Sequence, residues 1–448
     1  MVKVQGSPRK GLIGAIAGFF VGFAAVALFG STAAAFRGAM QLTPMQVGLL
    51  IAMPSLSGAL LRIPFSAWVD TSGGRKPFLT LLTLSSLGMA GLLAVLAMFY
   101  PAKLTPGMYP VILLLALLSG CGIATFSVGA GQVAYWYPKA GQGVALALFA
   151  GVGNLAPGIF SMLLPFALQS LGLTWSYAAW LALLLAGLVY YWITGANAWY
   201  FQLRDAGMKE AEATVKAREM GQELFPKGNL KESLRESARA WRTWALVLIY
   251  FTTFGGFIAL TAWFPTYWTQ HFGLTPVYAG LLTALFALLT SSIRIAGGVL
   301  SDRLREGGEN TAVLGLLIMM AGALVMVNAT EYELAIPGCV LLGSGMGICN
   351  AAVFKLVPQA VPQAIGGAVG WVGGIGALGG FLIPPAMGFA VSDLGNRGYA
   401  IGFIVFIYLC LASMTAAWVL KYVDAKPASE FEGLQSQSVA GREKQPAA

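Results

Sequence analysis

The sequence predicts an all-α membrane protein with twelve transmembrane helices in two pseudo-symmetric six-helix halves. Three observations carry that prediction. The 448-residue chain is 57% hydrophobic and only 10% charged, whereas a soluble domain carries about 25% charged residues. Apolar stretches long enough to cross a ~30 Å hydrocarbon layer recur along its whole length. Finally, an arginine falls inside an apolar stretch once in each half, Arg62 and Arg294, each eight residues before an aspartate, Asp70 and Asp302. The 57 glycines fit the same class, because small residues let membrane helices approach closely.

Taken in order, residues 1–195 form the first half, with spans near 11–36, 45–68, 77–100, 108–136, 142–166 and 174–195. The first follows Lys3, Arg9 and Lys10 and ends in Ser31-Thr32-Ala33-Ala34-Ala35, which imitates a signal peptide. Its apolar run far exceeds the ~7–15 residues of a signal core, so it reads as a helix that stays. Residues 196–242 are a polar linker, in which Met208 to Gln222 reads as a short helix with pairs such as Glu212 and Lys216. A solvated tether is the plain reading of the linker, and a regulatory dock is the other. Residues 243–424 form the second half, with spans near 243–265, 277–300, 311–330, 335–357, 364–388 and 398–422. The tail, 425–448, has the Pro, Ser, Gln and Gly content of a disordered segment. Cys121, Cys339, Cys349 and Cys410 lie in apolar spans without a CxxC pair and read as small hydrophobes.

Loop charge sets the orientation. With both termini and the linker cytoplasmic, only Arg37, Lys103 and Arg397 of the 27 Lys/Arg fall outside, and only Arg62 and Arg294 fall deep within spans. That asymmetry satisfies the positive-inside rule. The net charge of +9 is then a matter of topology and contact with anionic lipid. Nucleic acid is excluded as a partner, because the cations form no compact patch with interleaved aromatics.

The two intramembrane arginines carry the chemistry. Eight residues at ~1.5 Å per residue put each about 12 Å from its interfacial aspartate, near the middle of the bilayer. An ionised side chain there marks a pathway or a site. A guanidinium offers paired N–H groups in a fixed fork, which suits a small planar oxyanion. The alternative, two arginines each glued to a buried carboxylate, lacks its partner, since no Asp or Glu lies deep within any span. The same absence removes a side-chain proton relay, because the single histidine, His271, falls near the outer surface. Charge balance by exchanging one anion for another follows as the expectation.

Around these cations stand groups with two readings each. Tyr250 and Phe254 are four apart and share a helix face; they either wall a site or pack helices together. Asn154, between Gly151-Val152-Gly153 and Leu155, either binds the anion or bridges helices. The glycine-rich run Gly370-Trp371-Val372-Gly373-Gly374 either packs closely or slides. No P-loop and no metal-ligand spacing is visible, so neither nucleotide nor metal is expected as a cofactor. No acid–base pair or nucleophile constellation is visible either, so an enzyme is not expected.

Leu61-Arg62-Ile63-Pro64-Phe65-Ser66-Ala67-Trp68-Val69-Asp70 aligns without gaps on Ile293-Arg294-Ile295-Ala296-Gly297-Gly298-Val299-Leu300-Ser301-Asp302. The first continues through Gly73-Gly74 to Arg75-Lys76, the second through Arg303 to Gly307-Gly308. These loops resemble the motif between helices 2–3 and 8–9 of the major facilitator superfamily, with Ser66 in the usual glycine position. Such proteins are two six-helix halves related by an axis along the membrane normal. Ala150-Gly151-Val152-Gly153-Asn154-Leu155-Ala156-Pro157-Gly158 resembles the nitrate signature of its nitrate/nitrite porter family. The partner run Gly370 to Gly380 has glycine where the first has asparagine, and each run is followed by a proline, Pro165 and Pro384.

The resemblance implies a multi-pass inner-membrane transporter of nitrate and nitrite, working as a monomer by alternating access. It implies that Arg62, Arg294, Asn154 and Tyr250 bind the anion, that Phe126 and Phe254 close over its faces, and that Gly151, Gly153, Gly373 and Gly374 line the site. Asp70, Arg75, Lys76, Asp302 and Arg303 would latch the cytoplasmic side. Its rivals are a proton-coupled nitrate symporter, an organic-anion carrier of the same superfamily, and a sensor that binds without moving its ligand.

Overall fold

The computed structural model describes residues 4–226, 230–304, 307–361 and 364–424; the tail expected to be disordered lies outside the described residues. Among the described residues, eleven helices are long and apolar enough to cross a membrane. One of them, Val144–Thr194, has 51 residues, which at ~1.5 Å each would run more than twice the thickness of the hydrocarbon core. It turns back at Gly172, whose φ of 72° and ψ of 175° no helix tolerates and which glycine adopts without a Cβ penalty. The helix therefore supplies the fifth and sixth spans, and the chain crosses twelve times.

Two spans depart from their expected form. The first was expected as one run over 11–36; it is a helix only to Ala27, followed by a turn and the separate helix Ala33–Met40. Thr32 repairs the break by donating its hydroxyl to the Leu28 carbonyl at 2.9 Å. The seventh runs Trp241–His271 and carries a π-helical turn over Phe251–Gly255. Thr252 and Thr253 donate to the carbonyls of Leu248 and Ile249, at 3.0 and 2.9 Å, and stabilise the widened turn. Turns of this kind recur at functional sites.

The repeat is visible in how spans two and eight begin. Thr43-Pro44 opens one and Thr275-Pro276 the other, and each threonine caps its helix, accepting from the N–H of Gln46 or Tyr278 at 3.3 Å. Proline at the first position and a threonine cap both favour a helix start. One turn later, Gly48 and Gly280 hold matched roles. A Cβ on Gly48 would lie 2.6 Å from the Pro384 carbonyl of span eleven, and one on Gly280 would strike the Ser161 carbonyl and lie 2.8 Å from the Pro165 ring of span five. The two halves thus meet backbone to backbone on the face opposite the linker, packing that only small residues permit.

The linker is docked rather than a solvated tether. Its helix Glu210–Glu219 buries Ala213 and Ala217 completely, and Gln222 accepts from the Tyr200 N–H at 2.9 Å. Gln202 donates to the Gln5 carbonyl at 2.7 Å, which ties this part to the first half. A further helix, Leu230–Arg239, lies against span eleven. There Trp371 donates to the Leu234 carbonyl at 3.0 Å, and Gly367 donates to the Ser233 hydroxyl at 3.1 Å.

Candidate functional site

Arg62 stands where span two bends, between the helices Pro44–Leu60 and Arg62–Ser72. Only 1% of it is exposed. Its Nη1 donates to the Gly373 carbonyl of span eleven at 3.0 Å; its Nε and Nη2 have no partner. The guanidinium carbon sits 5.2 Å from the ring centres of both Phe126 and Phe254, within cation–π range. A cation whose remaining donors are dry and unpaired is poised for an anion, since an unmade buried hydrogen bond is expensive.

Arg294, near the end of the helix Pro276–Arg303, reaches the same ring, its guanidinium carbon 5.9 Å from the centre of Phe254. The two cations thus meet at one ring and are close enough to repel each other. Tyr250 stacks on Phe254 at 4.7 Å and 9°. Its hydroxyl is buried, makes no well-aligned hydrogen bond, and has Arg294 within side-chain hydrogen-bonding reach and Arg62 within electrostatic reach. Asn154, at the end of the helix Lys139–Asn154, is 1% exposed and its Oδ1 is also unpartnered. Arg294, Asn154, Gly151, Ser291 and Ala351 border a cleft of about 610 Å³ between spans five and eight, and none of its lining residues is acidic. An anion ~4 Å from a guanidinium gains about 4 kcal/mol at an effective dielectric of 20.

The structure sorts the remaining expected residues. Gly373 enters through its carbonyl, which holds Arg62, and Gly151 lines the cleft. Gly153 and Gly374 serve packing: a Cβ on Gly153 would enter the Phe19 ring, and one on Gly374 would lie 2.8 Å from the Ile63 side chain. The latch residues are tied within their own half. Tyr135 donates to Asp70 at 2.6 Å, and Arg75 donates from Nη2 to the Trp192 carbonyl at 2.8 Å and from its backbone to Asn197 at 2.9 Å. Lys76 and Arg303 are exposed; the Asp302 side chain lies outside the described residues.

Two groups were not anticipated. Ser291 donates to the Asn154 carbonyl at 3.2 Å and so links spans five and eight at the cleft; it precedes Arg294 by three residues, a spacing that shares a helix face and was legible. Phe23 continues the Tyr250–Phe254 stack, parallel to Phe254 within 1° at 6.5 Å. Nothing in the local sequence marks it, because its partner comes from the other half.

Comparison with known proteins agrees with this geometry. Residues 14–384 match the family model described as Major Facilitator Superfamily. The chain is 30% identical over 430 residues, covering 90% of it and 88% of the relative, to a protein of Thermus thermophilus named "Probable nitrate/nitrite antiporter NarK1". It is 26% identical, over 84% of its length and 87% of the relative's, to a "Probable nitrate transporter NarT" of Staphylococcus epidermidis. Among solved structures, a D-xylose-proton symporter superposes with a TM-score of 0.69 at 14% identity, covering 91% of this chain and 96% of that one, a likeness of fold alone. The twelve crossings, the duplicated arginine spans and these relatives lead to one conclusion: the chain belongs to the Major Facilitator Superfamily, among its nitrate/nitrite porters.

Proposed function

We propose that this protein transports nitrate and nitrite across the bacterial inner membrane, exchanging one for the other by alternating access, with its linker face cytoplasmic. The observation that carries the reading is the pair of guanidiniums on one phenylalanine ring, in a chamber whose cleft has no acidic lining residue. The names of the relatives support the substrate class.

The anion lies between Arg62 and Arg294, with Asn154 and Tyr250 completing its hydrogen bonds and the rings of Phe126 and Phe254 excluding water from its faces. Its charge offsets the repulsion between the two cations and lets the halves close; without it closure is resisted, which couples inward to outward movement. Asp70 and Arg75, held by Tyr135 and Trp192 in this structure, exchange partners as the linker face closes. A monomer suffices, since both arginines come from one chain.

Proteoliposomes loaded with nitrite and diluted into nitrate test the proposal. Nitrate should enter only when a counter-anion is inside, and an imposed pH gradient should not replace it. Arg62→Lys and Arg294→Lys, which keep the charge and lose the fork, should each reduce exchange by about 30-fold or more, the worth of one to two charge-assisted hydrogen bonds. Uptake driven by a pH gradient with empty vesicles would argue for the proton-coupled reading. Strong competition by oxalate or a sugar phosphate would argue for the organic-anion reading, and binding without flux for a sensor.

A further inference from the structure

Asn350, on the helix Tyr332–Ala360 of span ten, is fully buried. Neither its Nδ2 nor its Oδ1 has a hydrogen-bond partner. A dry amide with both ends unmade is unfavourable and calls for an explanation. Its place in the fold supplies one. Residues three and four apart share a helix face; of those neighbours of Asn350, Met346 lies against Gly256 of span seven, while Gly347 and Phe354 lie against the spans that carry Arg294 and Tyr250. Gly347 packs against Ile293 and the Thr290 carbonyl, in the stretch of span eight that leads into Arg294. Phe354 meets the Tyr250 ring edge-on at 5.1 Å and 90°. The adjacent Ala351 borders the cleft with Arg294 and Asn154.

The other orphaned polar atoms of this layer are Arg62 Nε and Nη2, Asn154 Oδ1 and the Tyr250 hydroxyl. Asn350 belongs to the same set by the same criterion. We infer that Asn350 is an anion-binding residue of the second half, donating its amide N–H to the planar oxyanion. With no protein partner at either end of the amide, its N–H is open to the ligand. In this way span ten supplies the amide that span eleven lacks, where Gly374 stands in the register of the first half's Asn154. The inference rests on the anion reading proposed above and adds to it one donor from an unassigned helix.

The test uses the full-length purified protein and reads thermal unfolding with sodium nitrate titrated against sodium chloride. Asn350→Leu has nearly the same shape and no polar atoms. If Asn350 binds the anion, the leucine variant unfolds without nitrate at or above the wild-type temperature, because two orphaned groups are gone. Its dissociation constant for nitrate rises about 10-fold, the loss of one charge-assisted hydrogen bond. Asn350→Asp sets a negative charge against the ligand and weakens nitrate further. If the leucine variant does not fold, Asn350→Ser provides the affinity measurement and is expected to weaken nitrate in the same direction. A leucine variant with a lowered unfolding temperature and unchanged nitrate affinity would show a helix-packing asparagine and overturn this assignment alone. A wild-type protein that nitrate does not stabilise would overturn the anion reading itself, and the assignment with it.

Discussion

Replacing Gly48 by valine should hold the two halves apart on the face opposite the linker. The first side-chain atom would lie 2.6 Å from the Pro384 carbonyl, against 3.4 Å for an ordinary contact, so spans two and eleven must separate by about 0.8 Å before the branch methyls are placed. The atom in the way is backbone inside a helix and cannot rotate aside. Overpacking of this kind costs about 1–3 kcal/mol, all of it charged to the state in which this face is sealed. The ratio of open to sealed molecules should therefore rise about 5- to 150-fold. Ser31 lines a cavity on this face together with Arg37, Thr266 and Gln270, and its hydroxyl is buried. A cysteine at position 31 reports opening through its rate of alkylation, and the four native cysteines are buried and leave a low background. Alkylation in Gly48→Val should accelerate by the same 5- to 150-fold, nitrate–nitrite counterflow should fall, and nitrate affinity should stay within about threefold. An unchanged alkylation rate with normal counterflow would refute the idea that this glycine contact seals the face.

The mirror substitution, Gly280→Val, presses on Ser161 and Pro165 and should reproduce the phenotype; alkylation at position 31 in the double variant should gain less than the product of the two, since both strain one interface. Tyr250→Phe deletes a buried hydroxyl beside Arg294, so nitrate affinity, measured by titration, should fall about 5- to 15-fold. Trp371→Phe removes the donor that pins the helix Leu230–Arg239 through the Leu234 carbonyl. A loss of about 1 kcal/mol should undock this helix about fivefold more often, read as faster tryptic cleavage at the exposed Arg235.

The distinction between what was legible and what was not follows the range of the interactions. Arg62 and Arg294 could be found from sequence because a charge inside an apolar run is a local anomaly, and its repetition before Asp70 and Asp302 made the duplication visible. The stacking of Tyr250 on Phe254 was legible for a similar reason, as both lie on one helix within a turn. Gly153 and Gly374 could not be assigned this way. A glycine in a membrane helix faces either a cavity or a neighbour, and only the position of Phe19 or Ile63 decides which.

By itself the sequence determined the membrane class, the twelve crossings and the pair of intramembrane cations, because hydropathy and charge are summed along the chain and need no partner. Tertiary structure alone decided that Asp70 is held by Tyr135 and Arg75 by Trp192 and Asn197, that the linker packs against spans of both halves, and that Asn350 is buried without a hydrogen-bond partner. A hydrogen bond is made or missed over 3 Å between residues that can be hundreds of positions apart, and that distance is a property of the folded molecule.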